Sequence, residues 1–266
     1  MRVLRRSAQA TAIALAMSGT AALAQSQFEK YQKMTAESSP VELFELVGED
    51  LWKKKQGPKN ASLEQCDLGE GPGVLEGVYA KLPRHFKDVD RVMDLETRML
   101  HCMITLQGRS RAEATKRLFG NADKASEMEY LSAYVAGHSR GVPLAPGQSH
   151  PKEQAAYELG KKLFFYRTGL WDFSCASCHG EEGKRIRMSE LPVLSKPAAA
   201  RPLMATWPAY RVSNSTFKTI EWRMNNCYRQ MRTPEPEFGS ETVNALVMFL
   251  TVTAQGEPYR GPGTKR

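Results

Sequence analysis

The chain has 266 residues, and its 37 lysines and arginines against 29 aspartates and glutamates give a formal net charge of +8. That length suits two small domains. Loss of a leader carrying Arg2, Arg5 and Arg6 lowers the charge by those three, to about +5, a mildly basic balance that makes no case for nucleic acid.

Residues 1–24 read as a secretory signal. A basic start at Met1-Arg2-Val3-Leu4-Arg5-Arg6 precedes an apolar stretch from Ala8 to Ala24, which ends in the small-residue pattern Ala22-Leu23-Ala24. Ser18, Gly19 and Thr20 interrupt a run already short for a membrane anchor. Cleavage is expected between Ala24 and Gln25. No other segment is long and apolar enough to span a bilayer, so the mature protein is expected to have no membrane span and to reside in the periplasm.

Helices dominate the rest. Pro40, at the tolerated first position, opens a predicted helix to about Gln56, with Leu43, Leu46, Val47 and Leu51 as its apolar stripe. Further helices are expected at about 90–105, 125–137, 151–166, 216–231 and 240–254. The last has Ser240 as N-cap and Val243, Leu246, Val247 and Leu250 facing inward. Pro143, Pro146 and Pro151, with Gly141, Gly147 and Ser149, mark a linker at about 139–150, dividing a first domain, 25–140, from a second, 151–266. The Pro- and Ala-rich stretch 180–214 is expected to be irregular.

The halves carry a faint repeat. Glu45-Leu46-Val47-Gly48 precedes Cys66 at the same distance as Glu158-Leu159-Gly160 precedes Cys178. Further on, Glu96-Thr97-Arg98-Met99-Leu100-His101-Cys102 and Glu221-Trp222-Arg223-Met224-Asn225-Asn226-Cys227 share the pattern Glu-x-Arg-Met-x-x-Cys. A duplicated domain explains both.

Cys175-Ala176-Ser177-Cys178-His179 is a Cys-x-x-Cys-His site. Two thiols at this spacing reach one edge of a porphyrin as thioethers, and the adjacent imidazole meets the iron from one face. Helices with a loop-rich cofactor site describe a c-type cytochrome. The expected fold is therefore mainly α, two cytochrome c-like domains in tandem, with only the C-terminal one carrying one covalently bound haem c. In the first half Asp67 follows Cys66 where a ligand histidine would stand, so Cys66 and Cys102 are expected to pair as a disulfide in an oxidising compartment.

Cys227 is left over, and two readings stay open for it. It is a small buried residue, or it is a thiolate beside Arg223, one helical turn earlier, able to act as nucleophile and iron ligand. Met204, Met224 or Met231 could bind the iron instead, which suits a plain periplasmic monohaem electron carrier. His85, His101, His138 and His150 show no ligand spacing. Between Lys184 and Arg232 the basic residues Lys184, Arg185, Arg187, Lys196, Arg201, Arg211, Lys218, Arg223, Arg229 and Arg232 face only Glu190 and Glu221. This is a solvated basic face or a field that draws an anion or an acidic partner to the haem.

The signal, the two halves, the Cys-x-x-Cys-His run and the stretch Arg223-Met224-Asn225-Asn226-Cys227-Tyr228-Arg229-Gln230-Met231 together resemble the SoxA family, the larger subunits of the SoxAX cytochromes, in the subtype with a single haem on this subunit. The resemblance implies an L-cysteine S-thiosulfotransferase that joins thiosulfate oxidatively to a cysteine of the carrier SoxYZ and passes electrons to c-type cytochrome. It further implies SoxX, a small monohaem cytochrome, as partner. By position it makes Cys175 and Cys178 the haem-attachment residues, His179 and Cys227 the axial iron ligands, Cys227 a catalytic persulfide and Arg223 the thiosulfate-binding residue.

Overall fold

The structure, a computed structural model, describes residues 40–121, 124–186 and 189–265. The predicted leader, the start of the first domain, and Arg187 lie outside the described residues. Helix α1 covers Val41–Lys53, with Pro40 itself as the N-cap. It crosses α4 (Glu127–Gly137) at Gly48, where a Cβ would lie 2.2 Å from the Tyr130 carbonyl oxygen. The second half repeats this crossing. Helix α5 (Pro151–Phe165) meets α9 (Glu241–Thr253) at Gly160, where a Cβ would lie 1.9 Å from the Ala245 carbonyl oxygen. The repeated glycine therefore has a physical cause: two backbones touch there and no side chain fits.

Between these helix pairs each half contributes a hairpin and a helix. In the first, β1 (Arg84–Phe86) pairs antiparallel with β2 (Arg91–Met93), and α2 (Leu95–Thr105) follows, with the short α3 (Arg111–Thr115) after it. In the second, α6 (Cys175–His179) is followed by the small ladder β3 (Arg185–Ile186) and β4 (Ser189–Glu190), then α7 (Pro197–Met204). Next come β5 (Ala209–Arg211), β6 (Thr216–Lys218) and α8 (Ile220–Gln230). A last strand, β7 (Gly263–Lys265), adds in parallel to the other edge of β5, giving the order β6-β5-β7.

Four sequence expectations are corrected. Leu43 and Leu46, expected in the apolar stripe of α1, are both exposed. The helices predicted at 90–105 and 216–231 each begin with a strand. The chain turns helical only after Asp94 and Thr219, whose side chains accept from the Thr97 and Trp222 amides as N-caps. The stretch 180–214 is not irregular throughout: Pro197 at a first-turn position starts α7 over an alanine-rich run with high helix propensity. The 139–150 connection is clamped to both halves. Gly141 N donates to Tyr259 O at 2.8 Å and Leu144 N to Glu257 O at 2.9 Å, while Ala145 N donates to Ala80 O at 2.7 Å.

The hairpins are exchanged. The β1–β2 hairpin rests on the second half's helices: His85 N donates to Glu153 Oε1 (2.8 Å), and Asp94 N, just past β2, donates to Asn244 Oδ1 (2.6 Å). The β5–β6 hairpin rests on the first half's. Lys218 Nζ donates to Glu129 Oε1 at 2.7 Å in a fully buried ion pair, and Phe217 stacks on Phe44 of α1. At the seam the two repeat glutamates cross. Glu96 Oε1 accepts from Ile220 N (3.1 Å), whereas Glu221 accepts from Thr97 Oγ1 (3.0 Å) and Gly239 N (2.9 Å). Carboxylate oxygens of Asp94, Glu96 and Glu221 lie within 4.8 Å of one another, all buried. Burial, with the charges of their neighbours, pushes Glu96 and Glu221 well above the carboxylate range, and burial raises Asp94.

Candidate functional site

Helix α6 holds the Cys-x-x-Cys-His run in one turn. Ser174 caps it, accepting from the Ser177 amide, and Ser177 returns a side-chain bond to the Ser174 amide. The His179 Nδ1 lies 2.9 Å from the Pro192 carbonyl oxygen. A carbonyl only accepts, so Nδ1 carries the hydrogen and Nε2 keeps its lone pair, the tautomer a metal ligand requires. Burial pushes the imidazole below its ordinary value, which keeps it neutral. Cys175, Cys178 and Cys227 are all unpaired. In the other half Cys66 and Cys102 form a disulfide with a Cα separation of 5.7 Å.

Cys227 sits on α8, one turn after Arg223, and within electrostatic range of Cys175 and Cys178. Burial pushes its thiol up. Arg223 and then Arg211 pull against burial without overcoming it. The guanidinium alone, on which the sequence reading relied, therefore does not ionise this sulfur. Cys175 is pushed up to about 12, by burial first and by Cys227 second. Neutral thiols and a neutral imidazole with a free lone pair fit a c-type haem: the cysteines lose their protons on thioether formation or metal binding.

Met204 and Met224 lie in the apolar core, and Met231 is buried at the end of α8. The other four histidines have partners elsewhere. His85 reaches Asp90 and stacks on His150, which caps α5; His138 bonds Glu76; His101 faces Asp88.

The basic run resolves into different fates. Lys184, Lys196 and Arg229 pair with Glu181, Glu182 and Glu235, and Lys218 is buried against Glu129. Arg223 and Arg211 are left with neutral partners. Arg223 donates to Asn226 Oδ1 (3.0 Å); Arg211 donates to Asn214 Oδ1 (3.1 Å) and Ser213 Oγ (3.3 Å), and lies over the Trp222 ring. Lys265, on β7, joins them. It donates to Thr206 Oγ1, and burial, then the charges of Arg211 and Arg223, push it down to about 8. In the sequence Arg211 is one of ten basic residues in its stretch and Lys265 lies outside that stretch; Lys265 comes beside Arg211 because β7 pairs with β5.

These halves and this site define a tandem cytochrome c protein. A model of the SoxA/TsdA cytochrome c domain matches residues 47–144, and a cytochrome c model matches 157–253. The L-cysteine S-thiosulfotransferase subunit SoxA of Hydrogenophilus thermoluteolus is 48% identical over 238 residues, 90% of this chain and 87% of that one. One from Hydrogenobacter thermophilus is 35% identical over 84% of this chain and 83% of its own length. The chain belongs to the SoxA family of L-cysteine S-thiosulfotransferase subunits. The crystal structure of SoxXA from P. pantotrophus shares the fold, with a TM-score of 0.71 at 22% identity over 89% of this chain and 84% of that chain. Among the described residues no helix is long and apolar enough to cross a membrane.

Proposed function

We propose that this chain is the periplasmic subunit that conjugates thiosulfate to a cysteine of a SoxYZ-type carrier, working with a SoxX-type monohaem cytochrome. Cys175 and Cys178 would hold one haem c covalently, and His179 and Cys227 would bind its iron. When bound, the haem supplies an iron centre for these ligands and a redox group close to Cys227.

The chain's own residues account for substrate handling. Thiosulfate is a dianion with one soft sulfur end. The forked guanidinium of Arg223 matches its sulfonate oxygens better than a point charge would, and this leaves the soft end toward the sulfur of Cys227. With Cys227 as a persulfide, thiosulfate joins its outer sulfur, a sulfur–sulfur bond forms, and two electrons leave to an external c-type cytochrome. The carrier's thiolate then attacks the thiosulfonate sulfur, taking the whole group and releasing the Cys227 persulfide. Asn226 accepts from Arg223 and fixes the guanidinium on the helix that carries Cys227.

The observation that carries this reading is the contrast between Cys227, unpaired beside Arg223, and its repeat counterpart Cys102, locked in a disulfide. The test is the intact mass of the mature protein under non-reducing conditions, with peptide mapping around Cys227. One haem, a Cys66–Cys102 link and an added sulfur on Cys227 are expected, and Cys227→Met should abolish turnover while retaining haem. Full turnover in that variant overturns the mechanism, and a bare Cys227 in the parent, with methionine in its place on the iron, returns the protein to the class of simple electron carriers.

A further inference from the structure

Arg211 and Lys265 have a geometry that a solvated basic face does not need. They are directly paired across the parallel β5–β7 ladder, so their side chains leave the same face of the sheet. Thr216, across the antiparallel β5–β6 ladder from Arg211, shares that face, and its buried hydroxyl has no hydrogen-bond partner. Like charges placed opposite each other in a sheet destabilise it. Among the described residues neither Arg211, Lys265 nor Arg223 has a carboxylate partner. Their hydrogen bonds to Asn214, Ser213, Thr206 and Asn226 orient the charges without neutralising them.

The other half shows what the same scaffold does when no anion is wanted. Counted back at equal intervals from Cys102 and Cys227, Phe86 stands where Arg211 stands, and Asp88 where Ser213 stands. There Arg98, the counterpart of Arg223, lies over the Phe86 ring at 4.2 Å and donates to Asp88 Oδ2 at 2.7 Å. One half thus neutralises its arginine with a ring and a carboxylate. The second half replaces the ring by another cation, removes the carboxylate, and brings in a third cation on the terminal strand.

We infer that Arg211 and Lys265, with the Thr216 hydroxyl, complete an oxyanion subsite with Arg223, and that this subsite takes the sulfonate group of thiosulfate next to Cys227. The inference rests on the thiosulfotransferase reading and names two substrate-binding residues beyond Arg223. It explains why three cations converge without a carboxylate: the substrate's two negative charges supply the counter-charge. The haem's own carboxylates are the other anion within reach of such a cluster, and the test separates the two sources.

The test uses the haem-loaded chain in complex with its cytochrome partner. Arg211→Phe, which installs the first half's residue, and Lys265→Gln, on the edge strand β7, are compared with the parent. Each should raise KM for thiosulfate roughly tenfold or more, as expected for loss of a hydrogen bond to a charged group, and weaken competitive inhibition by sulfate in parallel. The haem content and ferric absorption spectrum should be unchanged. An unchanged KM in both variants overturns the subsite. An unchanged KM with haem loss or a shifted spectrum also overturns it and assigns the cations to the haem carboxylates. Failure of the underlying reading looks different: Cys227→Met would then remain active, whatever the KM of the other two.

Discussion

The two halves use one scaffold for opposite ends. Each begins with a helix crossing at a glycine, continues through a strand hairpin into a capped helix, and carries Glu-x-Arg-Met-x-x-Cys on that helix. In the first half the cysteine is closed into a disulfide. The arginine is 4% exposed and tied to Asp88 and to the Asp67 carbonyl. Although burial pushes the Asp88 carboxyl up, the hydrogen bond and charge of Arg98 outweigh it and hold it below its ordinary value. In the second half the cysteine is free, and among the described residues the arginine hydrogen-bonds an asparagine and has no carboxylate partner. Saturated interactions make a strut; unsatisfied ones of the same type, in the same place, leave a charged group open to a ligand.

The comparison can be broken at several points. Gly160→Ala should be the most damaging stability change. Its methyl would collide with backbone at the α5–α9 crossing, so a loss of about 3 kcal/mol or more is expected, read as failure to fold or a much lowered thermal midpoint. Gly48→Ala should behave alike, and indifference at either site would contradict the close crossing. Replacing Cys66 and Cys102 together by serine should cost about 4 kcal/mol in denaturant unfolding, from a loop spanning 36 residues, with turnover per folded molecule retained.

A sharper contrast comes from the two arginines. Arg98→Ala should cost about 1–2 kcal/mol of stability, modest because Asp88 is half exposed and stays solvated, and should leave turnover intact. Arg223→Ala should do the reverse, leaving the unfolding midpoint in place while turnover collapses. Equal effects on both properties in both variants would remove the distinction between strut and site.

The smallest effect belongs to the seam. The folded state holds Glu96 and Glu221 protonated at pH values where the unfolded chain has released those protons. Stability should therefore be greatest in mild acid and fall as pH rises from the ordinary carboxylate value through the raised one. Glu96→Gln keeps the Oε1 acceptor for Ile220 N and puts an amide where Oε2 has no partner. It should flatten this slope above the ordinary carboxylate value and cost nothing where the parent's Glu96 is still protonated. A slope as steep as the parent's would exclude Glu96 as its source.

The candidate site was readable to different depths. Cys175, Cys178 and His179 fall within five residues, so local spacing alone points to haem attachment. Cys227 and Arg223 were legible because helical periodicity puts residues four apart on one face and because the odd thiol demanded an account. The strands ahead of α2 and α8 were missed because three-residue strands carry too little periodicity to outweigh a helical pattern beside them. Arg211 could have been found by extending the repeat back to Phe86. Lys265 left no local trace.

The sequence by itself determined the cofactor motif, the duplicated design, the glycines at the helix crossings and the sorting of cysteines, because each depends on residue type and short-range spacing. Only the tertiary structure decided which arginine is neutralised and which is left charged, how the hairpins exchange partners, and that the terminal strand lies beside β5. Those outcomes depend on which groups meet across long stretches of chain, where burial removes water and every unpaired charge must find its partner in space.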